Sequence, residues 1–203
     1  MSAPADLDVS RETKERLEIY VDLLTRWNPR INLVSKSSLA DIWSRHIADS
    51  AQIWDLAKHP VRHWADLGSG GGFPGLVIAI MAQETGSPEK VTLVESDARK
   101  CAFLRTVIRE TGISAQVAAD RIELMQPLQA DVISARALAG LNQLLFYCDR
   151  HLAQKGVALF PKGVTWEKEL EAAQTEWSFR YQVANSRTEA GPVILTVTGV
   201  SRV

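Results

Sequence analysis

The sequence predicts an α/β fold: a doubly wound, mostly parallel sheet with one antiparallel strand at its C-terminal end, preceded by a helical extension. Three observations carry this. Helical periodicity dominates the first 60 residues, the rhythm then changes to alternating strand-like and helix-like runs, and a glycine-rich loop follows the first of those strands. The division expected is a helical extension over 1–60 and a sheet domain over 61–203.

In chain order, Ser10 is placed to cap a helix whose apolar face is Leu17, Tyr20, Leu24 and Trp27, recurring at spacings of three and four. Asn28-Pro29 is expected to end it, because the residue before a proline is pushed out of helical backbone. Ser38 and Asp41 resemble a capping box opening a second helix with Leu39, Ile42, Trp43, Ile47, Ala51 and Trp54 on one side. Strand candidates are RHWADL (62–67), KVTLVES (90–96), SAQVAA (114–119), ADVISAR (130–136) and GVALFPK (156–162). Helices are expected from near Pro74, Asp97, Arg121 and Gly140. Parallel strands joined by right-handed helical crossovers are the solution such alternation allows. After Trp166, WSFRYQV and GPVILTVTG read as a closing hairpin.

With 203 residues, 46% hydrophobic and 23% charged, the chain has material for one α/β domain and a solid core. No apolar run reaches the length of a membrane span, and the first twenty residues lack a signal peptide's hydrophobic segment. Cys101 and Cys148 stand far apart without metal-ligand spacing; they read as buried thiols in a reducing compartment, cytoplasmic by default, with no metal and no membrane expected. A net charge of −1 argues at first against nucleic acid. Its distribution differs locally: between 26 and 45, Arg26, Arg30, Lys36 and Arg45 face Asp41 alone, interleaved with Asn28, Asn32, Trp27 and Trp43. Cations, amides and aromatics in that mixture suit a phosphate-bearing partner, with Asn32, Arg30 and Lys36 as its candidate contacts. Residue types alone favour an ordinary solvated surface.

The glycine loop, DLGSGGGFPG (66–75), reads in two registers. Gly70, Gly72 and Gly75 match G-x-G-x-x-G with Glu95 twenty residues further on, the pattern of a dinucleotide site. The other register is Asp66 followed by Gly68, Gly70 and Gly72. In both, tight backbone turns stand at the carboxyl end of a strand and Glu95 accepts hydrogen bonds from ribose hydroxyls. Asp66, expected at the strand's mouth, would repel a pyrophosphate and suits a ligand with ammonium and sulfonium groups. Little chain remains beyond one sheet for an oxidoreductase's substrate domain. S-adenosylmethionine, which has ribose and adenine but no phosphate, fits better than NAD. A nicotinamide-dependent oxidoreductase is the second reading, and a nucleotide-binding regulatory module the third.

Beyond the loop, NPRINLVS (28–35), RHIADS (45–50), LVESDARKCAFLR (93–105), DRIE (120–123), SARALAGLNQLL (134–145) and PKG (161–163) follow one another in order. Together with DLGSGGGFPG they resemble the RsmG family, also called glucose-inhibited division protein B, over nearly the whole chain. The resemblance implies a Rossmann-like methyltransferase sheet and methyl transfer from S-adenosylmethionine to N7 of a guanine in 16S ribosomal RNA, presented by a small subunit or an assembly intermediate. It implies Gly68 and Phe73 against the cofactor, Ile122 and Glu123 beside its adenine, and Arg136 near cofactor and target base. Arg121 and Lys162 look like RNA-facing cations, and Arg121, Arg136 and His46 are the candidates for acting on the base. His46, Asp49 and Ser50 share a helix face; Asp49 pairing with Arg45 is the plainer account of that patch. Because guanine N7 has a lone pair and loses no proton, alignment rather than a strong general base is expected to do the chemistry.

Overall fold

The computed structural model describes residues 7–203, and the first six residues lie outside the described residues. Seven strands form one sheet: β1 (His63–Leu67), β2 (Lys90–Val94), β3 (Gln116–Ala118), β4 (Ala130–Ser134), β5 (Leu152–Lys162), β6 (Trp177–Asn185) and β7 (Val193–Arg202). Their order is β3-β2-β1-β4-β5-β7-β6. β1 to β5 pair in parallel, and β7 runs antiparallel to both β5 and β6. The order reverses at β1/β4, so the carboxyl ends of those strands flank the crevice where open α/β sheets bind ligands.

Strand side chains alternate between faces, and β1 shows the result. Trp64 points into a core shared with α1 (Arg11–Ile31), α4 (Gly75–Thr85) and α5 (Ala98–Thr111). Ala65 and Leu67 point into the opposite core, covered by α6 (Leu141–His151) and α7 (Trp166–Ala173). The predicted face of α1 is the buried one: Leu17 and Leu24 are fully enclosed, each contributing roughly 1.5–3 kcal/mol. Ser10 caps α1 by accepting from Thr13 N–H, and Glu84 at the end of α4 holds the same turn through Ser10 N and Thr13 Oγ1.

Four local expectations are corrected. α1 runs through Asn28-Pro29 to Ile31 and ends on Asn32 in left-handed backbone (φ 51°). Asn28 makes this end, because its buried Oδ1 accepts from Leu33 N and Val34 N at 2.7 and 2.9 Å and ties off the chain after the helix. The second helix is three pieces: α2 (Lys36–Ala40), a π-helical turn (Trp43–Ala48) and α3 (Asp49–Trp54). Its cap is Ser35, which accepts from Ser38 N, rather than Ser38. Near Arg121 only a 3-10 turn forms, Ile122–Leu124, since no long apolar stripe follows it. Finally, α7 was not foreseen; its short run buries only Leu170 and Ala173, too little for a periodic signal.

Candidate functional site: two neighbouring cavities

The glycine loop is shaped by backbone geometry that only glycine adopts easily. Gly68, Gly70 and Gly72 have φ of 66°, 55° and 95°. A Cβ on Gly70 would meet nothing closer than 3.8 Å, so this residue presents bare backbone to open space. The loop is clamped from the N-terminal helices: Tyr20 Oη donates to Gly71 O at 2.5 Å. It is also clamped from β2: Glu95 Oε2 accepts from Gly70 N at 2.9 Å while Oε1 accepts from Asp97 N at 2.8 Å. Each carboxylate oxygen keeps acceptor capacity for a further donor.

A cavity of about 670 Å3 opens beside this loop, lined by Gly68, Gly70, Phe73, Glu95, Ile122, Glu123 and Arg136 among others. It also includes residues not singled out in the sequence: Leu33 and Val34 from the turn after α1 and Lys100 on α5, which lie within quoted motifs, and Tyr147 on α6, which lies in none. Arg121 is exposed at its edge, paired with Glu123 at 3.2 Å. The fit to S-adenosylmethionine is chemical: a carboxylate for a ribose diol, an apolar wall at Ile122 for a purine, and a bare-backbone approach at Gly70.

Asp66 and Gly72 require correction as pocket residues. Asp66 is fully buried: Oδ1 accepts from Ser134 Oγ at 2.7 Å and Oδ2 from Gly75 N at 3.2 Å. Burial pushes its carboxyl up to about 6, against the hydrogen bonds from Ser134, Ser69 and Gly75. It faces the first N–H of α4 rather than a ligand. A dinucleotide's pyrophosphate would need that helix N-terminus, which the chain's own carboxylate already holds. Gly72 is buried too; a Cβ there would press on Leu76 and on Tyr20 Oη, 2.8 Å away. It is needed for packing.

Around Arg136 the structure assembles a cluster from three distant segments. Its guanidinium lies 4.9 Å from the Phe73 ring centroid and donates to His46 Nδ1 at 2.7 Å, to Arg45 O at 3.2 Å and to Asp49 Oδ2 at 3.4 Å. The His46 ring stacks on Phe73 at 4.8 Å. Since arginine only donates, His46 Nδ1 accepts and the proton sits on Nε2. Burial, then Arg136 and Arg45, pull the imidazole down to about 3, so it is neutral near pH 7. Burial also lowers Arg136 from its ordinary value while Asp49 opposes this. His46 lines the first cavity with its Nδ1 engaged by Arg136, its ring stacked on Phe73 and its Nε2 buried. Asp49 pairs with Arg136, and Arg45 pairs instead with Glu189 at 3.4 Å.

Arg136 and Ala137 also line a second cavity, of about 590 Å3, at the ends of β4 and β5. The N-terminal helices supply Asp41, Ser44, Arg45 and Asp49 to its wall, and the C-terminal segment supplies Ser186, Thr188 and Glu189. Lys162, read as an RNA-facing cation, also lines this cavity, but not as a free charge. It is buried, with Nζ 2.7 Å from Glu169 Oε2 and 3.1 Å from Ala139 O. Arg30, Asn32 and Lys36 are exposed and line neither cavity.

Fold and site together define a Rossmann-like, S-adenosylmethionine-dependent methyltransferase. Solved structures of that architecture align with it: M. jannaschii TYW2 in complex with AdoMet, with a TM-score of 0.58 at 13% identity, covers 78% of this chain and 76% of its own. A TehB-like SAM-dependent methyltransferase from Corynebacterium glutamicum, with a TM-score of 0.54 at 15% identity, covers 92% and 100%. The chain belongs to the GidB family, rRNA small subunit methyltransferase G, which it matches over residues 13–193. Relatives called ribosomal RNA small subunit methyltransferase G include one from Ruegeria pomeroyi, 55% identical across 97% of this chain and 96% of the relative. Another, from Paramagnetospirillum magneticum, is 50% identical across 96% and 92%. The oxidoreductase reading has no support among them. Among the described residues no helix is long and apolar enough to cross a membrane, and no cluster of His, Cys, Asp and Glu is placed to hold a metal.

Proposed function

We propose that this protein transfers a methyl group from S-adenosylmethionine to N7 of a guanine in 16S ribosomal RNA, presented in the cytoplasm by a small subunit or an assembly intermediate. The observation that carries the proposal is that two cavities share Arg136 and Ala137 in their walls, one suited to a nucleoside cofactor and the other open for an acceptor. The 61–203 portion then provides the cofactor site, and the 1–60 portion walls both cavities.

Bound in the first cavity, the cofactor supplies an electrophilic methyl on a sulfonium. Glu95 holds the ribose hydroxyls, Ile122 and Glu123 border the adenine, and Gly68, Gly70 and Phe73 shape the approach of the remainder. N7 attacks with its own lone pair and sheds no proton, so no residue here has to act as a base. A neutral His46 with Nδ1 engaged suits that requirement. As the base becomes cationic, a loose guanidinium near N7 would oppose the reaction. Asp49, the Arg45 carbonyl and His46 hold Arg136 to the side and balance its charge. Arg136 thereby positions the acceptor at the seam, and proximity supplies the rate. Arg30, Asn32, Lys36 and Arg121 lie on exposed surface available to RNA phosphates.

The test is transfer of labelled methyl to small-subunit RNA from a strain lacking the gene, with mass mapping of the product. A new 7-methylguanine absent from the untreated RNA is expected. Label confined to any other atom would overturn the reading.

A further inference from the structure

Lys162 is buried and pairs with a partly exposed Glu169. Lys162 closes β5 and Glu169 sits on α7, and both line the second cavity. The structural work of Glu169 falls on one oxygen: Oε2 accepts from Lys162 Nζ at 2.7 Å and from Leu141 N, the first residue of α6, at 2.9 Å. Among the described residues Oε1 has no partner, and the side chain keeps 29% exposure. Lys162 Nζ spends two of its hydrogens on Glu169 and Ala139 O, leaving a third. One acceptor and one donor thus stand side by side in the cavity wall, on an ion pair whose lysine is buried and whose glutamate is partly exposed.

We propose that this pair reads the Watson–Crick edge of the acceptor guanine. Glu169 Oε1 accepts from N1–H and the 2-amino group, and the remaining N–H of Lys162 donates to O6. The inference rests on the guanine-N7 reading above and deepens it. An enzyme that alkylates N7 has to recognise guanine without covering that atom. Binding by the N1 and N2 side leaves N7 free to meet the seam at Arg136 and Ala137. Adenine offers the reverse pattern: its N1 lone pair would face the carboxylate and its 6-amino group the ammonium, so the same pair rejects it.

The experiment uses small subunits reconstituted with guanine, inosine or 7-deazaguanine at the methylated position. Binding and single-turnover transfer are measured for the parent chain, Glu169→Gln and Glu169→Asp. Calorimetry with S-adenosylmethionine and thermal melting establish that each variant is folded and holds its cofactor. The parent should disfavour inosine, which lacks the 2-amino group, by about 10- to 150-fold, the range for hydrogen bonds to a charged acceptor. In Glu169→Gln an amide replaces the free carboxylate oxygen, and guanine and inosine should come within about twofold of each other, a factor too small for a charged hydrogen bond. Glu169→Asp keeps the acceptor but withdraws it by one methylene and should give an intermediate ratio. If Glu169→Gln retains the parent's ratio, or if it is too unstable to assay and Glu169→Asp retains it, the pair is structural only and the proposal fails. Transfer that persists on 7-deazaguanine, or no transfer by the parent to guanine, defeats the N7 reading itself.

Discussion

Replacing Glu95 by Gln isolates the ribose contact. In the parent, Glu95 Oε2 takes Gly70 N–H at 2.9 Å and Oε1 takes Asp97 N–H at 2.8 Å. A glutamine keeps one oxygen acceptor and turns the other site into a donor. One loop anchor therefore survives, and the ribose diol loses its charged acceptor. A hydrogen bond to a charged group contributes about 1.5–3 kcal/mol. The S-adenosylmethionine Kd should therefore rise about 10- to 150-fold, as read by isothermal calorimetry. The same loss should appear when the parent binds a 2′-deoxyribose analogue, and combining variant with analogue should add little, because both remove one interaction. The melting temperature is followed alongside, since Asp97 N–H loses its partner if the amide turns that way. A Kd within twofold of the parent, or fully additive losses, would show that Glu95 braces the loop and does not meet the cofactor.

Gly70→Val should abolish cofactor binding while the chain stays folded by circular dichroism, since φ of 55° strains a β-branched residue and its side chain would fill the cavity; normal binding would reduce the loop to a turn. Asp66→Asn tests a pH dependence. With its carboxyl pushed up to about 6, Asp66 keeps its proton when folded where the unfolded chain has lost it, so its contribution to stability falls as pH rises from 3.8 to about 6. His46, pulled down to about 3, acts in the opposite sense: its contribution falls as pH drops below 6.5. Removing the first alone should make stability rise more steeply with pH across that window, by up to about 3 kcal/mol; parallel denaturation curves for parent and variant would refute it. Replacing Arg30 and Lys36 together by Ala should flatten the salt dependence of RNA binding by up to about one phosphate contact per cation, with cofactor affinity unchanged. An unaltered salt slope would assign these exposed residues to solvent and bring RNA in over another face, beside Arg121.

Local regularities were legible in the sequence. Apolar spacing in α1, the alternation of strand-like with helix-like runs after residue 60, and glycines demanding left-handed backbone are written into neighbouring residues, so the sheet, its antiparallel β7 and the loop's shape follow from short-range reading. The ordered motifs likewise carried the family. Tertiary structure alone decided what those residues face. Asp66 looked like a ligand residue because an acid beside glycines has no visible partner in sequence; one partner, Ser134, arrives only when β4 pairs with β1, and the other, the first N–H of α4, when the loop folds back over the strand end. Lys162 read as a free cation for the same reason; that it is buried against Glu169 comes from the fold, since Glu169 sits on a helix too short to announce itself. The cluster of His46, Asp49, Phe73 and Arg136 joins segments up to ninety residues apart, held by a π-helical turn that periodicity does not encode. Hydrophobic pattern is local, and it determined where this chain folds; charge pairing spans the fold, and it decided which polar groups are left to do chemistry.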